Sequence, residues 1–567
     1  MEAGLPSAFD VVVVGTGLTE SIVSAAASRN GHTLLHLDPR EFYGSCSATL
    51  NFDSWTAQEF AISPPTISEV EVSSNGDQLE WKNCCRNVEQ VWYESSDGVK
   101  KEFEGNKRRF NIDVFPQIIL AREEIIELLI KSDVSRYLEF LRVGKLFTKL
   151  PNEDTIVSIP LSRSDIFTSK SVSLGEKRCL VKFIEAVMQQ NQSTDDLENE
   201  NSNETLETLP DIADSSTFDE LANICKLTPK VKHLIRSVVE NVEDKFSSEE
   251  SFQTGFVSRC RKYLQSIGRF GNQTPYLWPL YGVSEICQGF CRLSAVYGSI
   301  FILKRFVNSI EETGEGTLKI TSENDQFEAK HLVIGPEFKY LHSSASSPSD
   351  NAINEKPKVV GRGVIVTKGN NLKAETESTT NKGDGICFYK IGNIQIVELS
   401  NSSQAVPKNY HLLQITFAVD EEYPGSLSAS PREYIESQLQ SFVNFEMVMS
   451  SSCENDELGN GSNDIRPQAI YGSYFWIDLW NGQESSPTSR IHNCAVDSTD
   501  LTSRVSRAAN IFRSMFPGEE FLPKPPPPEH DENDTPEIDI DNLPNHFDIP
   551  PKPCDDDPLQ QPSVPAE

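Results

Sequence analysis

The stretch FDVVVVGTGLTESIVSAAASRNGHTLLHLD, from Phe9 to Asp38, constrains this chain more than any other. A valine run, a glycine turn, a helix-forming segment and a second apolar run ending in an acid read as β-α-β. Gly15 and Gly17 stand where a dinucleotide-binding turn needs a tight bend and close approach of backbone to a diphosphate. Asp38 ends the second strand, where an acid holds ribose hydroxyls in such folds. The third position departs from the pattern, because Glu20 replaces the glycine that lets helix and strand pack beside the phosphates. A carboxylate facing a diphosphate at the helix N-terminus costs on the order of several kcal/mol at an effective dielectric of about 20. Glu20 has another use open to it, which is to satisfy the helix N-terminus itself. The residues therefore favour a vestigial turn at Gly15, Gly17 and Glu20, with no bound cofactor, over a working FAD or NAD site.

The rest of the chain predicts a discontinuous α/β fold, FAD-oxidoreductase-like with a Rossmann-type βαβ start, an inserted helical domain and a disordered acidic tail. Residues 1–112 form the first part of the α/β domain, with 61–108 as an insert. Residues 113–266 form the helical domain. There PQIILAREEIIELLIKSDVSRYLEFL carries Ile118, Ile119, Ile125, Ile126, Leu129 and Ile130 as a helical stripe. Ser173 followed by Glu176 marks a capping box, and Pro229 a helix start. Residues 189–217, polar and without Lys or Arg, read as a loop. Residues 267–520 complete the α/β domain with strand-like runs such as SIFIL, TLKIT, HLVIG, VVGRGVIV and HLLQITFAV. Residues 521–567 are a Pro-rich acidic tail that cannot bury enough apolar surface to fold alone.

Composition removes several function classes. The formal net charge of -33 argues against nucleic-acid binding, which needs clustered Lys and Arg. The 12 cysteines show no paired CxxC spacing, so no zinc site is predicted, and scattered thiols suit a reducing cytoplasm. The start MEAGLPSAFD carries no signal-peptide pattern, and Cys554 is too far from the end for a prenylation box. No catalytic triad spacing or paired catalytic carboxylates stand out, so no catalytic residue is assigned.

Two blocks carry a family resemblance. GTGLTESIVSAAASRNGHTLLHLDPREFYG resembles the first, and YLWPLYGVSEICQGFCRLSAVYG the third, conserved region of the Rab GDP-dissociation inhibitor and Rab escort protein superfamily. The segments IPLSRSDIFTSKSVSLGEKRCLVKF and FPGEEFLPKPPPPE are similar to the escort branch, and so is the presence of the 61–108 insert. The resemblance implies an oxidase-like fold acting without flavin, and a non-catalytic accessory role in Rab geranylgeranylation. Its implied partners are GDP-bound Rab GTPases, the α/β geranylgeranyltransferase heterodimer through its α subunit, the geranylgeranyl lipid of the product and, transiently, a membrane. The two other readings are a GDP-dissociation inhibitor and, from a different class, an FAD-dependent oxidoreductase.

Residue by residue, the resemblance places Rab contacts at Tyr43, Glu285, Gln288 and Arg292, with Arg269 of GRFG nearby. Read locally, Arg292 and Glu285 have the alternative of pairing with each other or capping a helix, and Tyr43 of being a turn residue. Ser284, Ile286 and Cys287 depart from the family's usual Gly, Leu and Pro. The family's transferase-binding phenylalanine corresponds to Phe183, at the edge of the arc formed by Leu180, Ile184 and Val187. An edge position fits either an exposed anchor or a core-rim residue. The family arginine that follows this helix is missing from 189–217, with Asn191 as its candidate replacement.

Overall fold

The valine run becomes the strand Ala8–Val14, buried on both faces, and the glycines after it open the helix Leu18–Arg29. That strand pairs in parallel with Leu34–Asp38 on one side and with Asp325–Ile334 on the other. Ile300–Leu303 extends the parallel edge, and Leu318–Ser322 and Ser309–Glu312 add antiparallel strands. The N-terminal β-α-β unit is thus completed by strands from the second half of the chain, and the α/β fold is discontinuous. In this computed structural model the described residues are 5–61, 78–151, 153, 155–160, 163–169, 171–189, 217–240, 249–271, 274–314, 316–341, 357–372, 385–420, 423–448, 465–480 and 489–525.

A second, ten-stranded sheet runs through Gln468–Leu479, Lys358–Lys368, Tyr410–Ala418, Ile394–Leu399 and Ile386–Ile391. Its central strands are buried on both faces, which is why they read as continuous apolar runs. One face shares a core with the helices Leu174–Gln189, Phe218–Ile224, Pro229–Val239 and Glu249–Ser266. The start signals hold: Glu176 Oε2 accepts from Ser173 N at 2.9 Å, Ser173 Oγ accepts from Glu176 N at 3.4 Å, and Pro229 opens its helix.

Three sequence expectations are corrected. The segment carrying the helical stripe from Ile118 to Ile130 is α-helical only at Glu124–Lys131, followed by a 3-10 turn at Val134–Tyr137, and Phe140–Lys149 is a strand of the large sheet. Arg142, Lys145 and Lys149 are spaced three and four apart, so no alternation announces this strand; pairing with Tyr276–Pro279 and Ile386–Ile391 makes it. The short helix shares a core with Leu18–Arg29 and Leu501–Met515, whereas the helical group from Leu174 to Ser266 belongs to another core. The described part of the 61–108 segment is also woven into the sheets. Gln78–Trp81 pairs with Phe338–Leu341, and Cys85–Trp92 forms the edge beside Gln468–Leu479. Finally, the tail starts later than 521, because Leu522 is buried in the core and Arg29 donates to Pro523 O at 2.9 Å. Residues up to Lys524 make one compact unit, and the expected disordered tail from 526 on lies outside the described residues.

Candidate functional site

The glycine turn is filled from within. Gly15 has a φ of +106°, a conformation that glycine adopts without strain. The His36 imidazole donates to Gly15 O and stacks on Phe301 at 4.7 Å; burial drives its pKa down to about 4, so it is neutral. Asp38 is used inside the protein: its carboxylate accepts from Thr16 Oγ1 at 2.6 Å and from Arg40 N at 2.8 Å. The Glu20 carboxyl folds back over the turn. A Cβ built on Gly17 would meet Glu20 Oε2 at 2.8 Å, and one on Gly335 would meet Oε1 at 2.5 Å. Three glycine backbones, Gly15, Gly17 and Gly335, therefore enclose a carboxyl in the place where the fold's relatives hold a diphosphate.

A dinucleotide does not fit these residues. The space remaining beside Glu20 is about 40 Å³, and the carboxylate that would hold a ribose already has its partners. The expected repulsion between like charges does not arise. Burial raises the Glu20 carboxyl to about 8, with Glu337 and Asp38 adding to the shift and Arg504 opposing it. At neutral pH the group is protonated, so it excludes a nucleotide by volume rather than by charge.

The surface helix Ser284–Val296 is fixed by residues far away in sequence. Asp113 Oδ1 accepts from Val283 N at 2.8 Å and from Thr49 Oγ1 at 2.6 Å, and Thr49 Oγ1 accepts from Ser284 N at 3.1 Å. Gly282, with φ +106°, is required because a Cβ there would lie 2.4 Å from Thr49. Asp113 is itself buried, raised to about 6 by that burial, and held by Gln414 and the neighbouring Arg362 guanidinium. The inner face of the helix, Ile286, Cys287, Phe290 and Leu293, packs in the core with the first helix. Small residues let the two helices approach closely: Ser24 and Ser294 hydroxyls are 2.7 Å apart, and Ser21 Oγ is 3.2 Å from Cys291 Sγ.

Its outer face gathers most of the expected Rab-contact residues. Glu285, Gln288 and Arg292 recur at helical spacing on this face, Gln288 and Arg292 exposed and Glu285 half-buried. The Arg292 guanidinium lies over the Tyr137 ring at 4.4 Å, so it pairs with an aromatic rather than with Glu285. Burial raises the Glu285 carboxyl above its usual range. Tyr43 is half-buried beside Phe301, and burial raises its hydroxyl above the usual range. Arg269 is placed elsewhere. It makes a two-pronged pair with Glu127 at 2.6 and 2.8 Å and also donates to Ala121 O, leaving its side chain 13% exposed. That arrangement anchors the segment after the last helix of the helical group.

Sequence reasoning missed the aromatic surround. Tyr281 is 50% exposed with a φ of +70°, a strained conformation for a bulky residue, immediately before the helix. Tyr137 and Tyr297 are also exposed. The adjacent Tyr281-Gly282 pair was the available signal; nothing local links Tyr137 to Arg292. Cys46, Cys84 and Glu337 also converge unannounced, their ligand atoms within 4.8 Å of one another. Glu337 there accepts from Ser45 and pairs with Arg40 at 2.5 Å, so its charge is already matched.

The helical group places Phe183 differently from the exposed-anchor expectation. Phe183 is 2% exposed and meets Phe218 edge-on at 6.0 Å. It belongs to the core because Phe218, from beyond the polar loop, covers the edge that a helical wheel leaves open. It lines an apolar cavity of about 70 Å³ with Leu180, Ile184, Leu234, Ile235 and Cys260. Among the described residues, the large apolar side chains that reach solvent furthest here are Phe167, 63% exposed, and Leu174, 67% exposed, ahead of Met188 and Ile224. Asn191 lies outside the described residues. An arginine does reach the end of this helix from another element: Arg261 Nε donates to Val187 O at 3.1 Å.

With this geometry in hand, the family is decided by a match over residues 5–71 and 82–451 to the model described as GDP dissociation inhibitor. The chain belongs to the GDP dissociation inhibitor family. Among curated members, it is 30% identical to Rab proteins geranylgeranyltransferase component A of Drosophila melanogaster, covering 93% of this chain and 92% of that one. It is 26% identical to component A 2 of Homo sapiens, over 93% and 94% of the two chains. It is 26% identical to Rab escort protein 1 of Arabidopsis thaliana, over 91% and 94%. The solved Rab GDI of Plasmodium falciparum shares the family fold at a TM-score of 0.56 and 18% identity, covering 90% of this chain and 99% of that one.

Proposed function

We propose that this chain is the non-catalytic escort subunit of Rab geranylgeranylation. It binds a GDP-bound Rab, presents it to the transferase, shelters the lipid added, and delivers the product to a membrane. The observation that carries the reading is the outer face of Ser284–Val296, a rigid helix bearing Glu285, Gln288 and Arg292 beside exposed tyrosines. Arg offers a fork of donors and tyrosine a large contact of low entropy cost, the composition expected of a protein-binding face. Likeness to component A proteins over nearly the whole chain supports the transferase as second partner.

The helical group suits the remaining steps. Covering a geranylgeranyl chain is worth up to about 0.8 kcal/mol per buried CH₂, so on the order of 10 kcal/mol or more in all. The apolar cavity around Leu180, Phe183 and Leu234 is the place to recover that energy, once the helices part. Contact with the transferase α subunit falls to the exposed Phe167 and Leu174 side of the same helices, while Phe183 supports that surface from beneath. Among the described residues no helix is long and apolar enough to cross a membrane, so membrane contact in this reading is peripheral.

The deciding experiment mixes this protein with unprenylated Rab, transferase and geranylgeranyl diphosphate. Prenylation is expected to require the chain; equal prenylation without it refutes the escort reading and leaves a GDP-dissociation inhibitor, which the family's name favours. Stoichiometric absorbance near 450 nm in the purified protein would restore the flavoenzyme reading.

A further inference from the structure

Cys46, Cys84 and Glu337 come from three distant stretches of the chain and meet at one point. Cys46 lies in the turn Ser45–Ser47, just after the loop that carries Tyr43. Cys84 precedes the edge strand Cys85–Trp92, and Glu337 precedes Phe338–Leu341. Among the described residues, no other three His, Cys, Asp or Glu side chains bring their donor atoms within 4.8 Å of one another. Local spacing gives no hint of this cluster, because no two of its members share a motif.

The surrounding structure holds the three in place. Lys82 N donates to Glu337 O at 2.6 Å, which ties the stretch before Cys84 to the stretch bearing the acid. Ser45, next to Cys46, donates its hydroxyl to Glu337 Oε1. Arg40 donates to the same oxygen at 2.5 Å, and its guanidinium lies over the Trp81 ring at 4.6 Å. The acid is thus oriented by an outer layer of donors, the arrangement that supports a metal ligand. Cys46 Sγ is 3.7 Å from Glu337 Oε1. Ligand atoms on a tetrahedral zinc lie about 3.6–3.8 Å apart, given Zn–S and Zn–O bonds of about 2.3 and 2.1 Å. Charge balances as well: Arg40 neutralises Glu337, and two thiolates neutralise a dication. Thiolate donors disfavour magnesium and calcium, which take oxygen ligands, and the carboxylate disfavours copper(I). Cys46 is half-buried, so an ion has a way in, and the space of about 40 Å³ beside both cysteines has room for a water.

We propose that Cys46, Cys84 and Glu337 bind one zinc ion, with water as the fourth ligand. The two thiols release their protons to solvent as the ion binds. The ion clamps the turn after Tyr43 to the stretches that lead into Cys85–Trp92 and Phe338–Leu341. Its role is structural, and the proposal does not depend on the escort reading.

The test strips the full chain with a chelator under a phosphine reductant, then titrates it with zinc against a chromophoric chelator and, separately, with cobalt as a spectroscopic probe. One zinc per chain is expected, and a thiolate-to-cobalt charge-transfer band. Cys46→Ser and Cys84→Ser are each expected to weaken zinc at least about tenfold, the effect of losing even an outer-shell partner, and to diminish the band. Cys494→Ser alters a thiol on the same small cavity but outside the cluster, and is expected to change neither. Zinc should raise the melting temperature of the wild type and not that of Cys46→Ser. The half-buried Cys46→Ser carries the test if Cys84→Ser fails to fold. A reduced wild-type chain that takes up no zinc, or cobalt binding without the thiolate band, overturns the proposal. So does zinc uptake that survives both serine substitutions, and so does a Cys46–Cys84 disulfide in the protein as purified.

Discussion

Two helices of similar length present very different surfaces. Ser284–Val296 is held at its start by Asp113 and Thr49, side chains from other parts of the chain, and along its inner face by hydroxyl and thiol contacts with Leu18–Arg29. Leu174–Gln189 is capped by its own Ser173 and Glu176 and rests on an apolar cavity. The first is pinned by directional bonds that leave it one position. The second is supported mainly by non-directional packing next to empty space, where little opposes a shift. In the proposed escort role, a surface that recognises a folded partner and a core that opens for a lipid call for these opposite solutions.

The contrast breaks most visibly at Asp113. Asp113→Ala removes two anchors of the surface helix and leaves the Arg362 guanidinium buried beside a lost charge. A loss of about 3–5 kcal/mol in urea unfolding is expected, with Rab binding falling in parallel. Phe183→Ala opens a cavity under the yielding helix and should cost about 3 kcal/mol, less if the helices collapse inward. Denaturation together with transferase titration checks this, since an intact fold with lost affinity would return Phe183 to the interface. Arg292→Ala should weaken Rab binding by about 2 kcal/mol, measured by calorimetry, without moving the melting temperature.

Glu20 gives the smallest effect per step. Its folded-state pKa is raised from 4.5 to about 8. Below pH 4.5 it is protonated folded and unfolded alike, and its contribution to stability is complete. As pH rises from 4.5 through 8 the unfolded chain has released a proton that the folded one retains, so stability falls by up to about 1.4 kcal/mol per pH unit. Glu20→Gln should flatten that fall, and urea titrations at pH 5 and 8 should show the variant gaining on the wild type at the higher pH.

Local chemistry was legible in the sequence; contacts across the chain were not. The glycine turn, the capping pair Ser173–Glu176 and the Glu285–Arg292 spacing each lie within a few residues, where backbone geometry alone sets the relations. Arg269 misled because its partner, Glu127, is 142 positions away. Phe183 misled because a wheel shows which face an atom is on but not that Phe218 returns to cover it. Phe140–Lys149 was hidden by the apolar residues just before it, which suit a helix and a strand alike.

The side chain that seals the glycine turn also has a consequence for regulation. In a flavoenzyme built this way, the first helix and whatever packs on it feel whether the cofactor is present and in which redox state. Here Ser24 and Ser294 join that same helix to Ser284–Val296, and Glu20 is covalently part of the chain. In the proposed escort role, the helix bearing the Rab-contact face is therefore braced by a side chain of the chain itself where a flavoenzyme would place a separate cofactor.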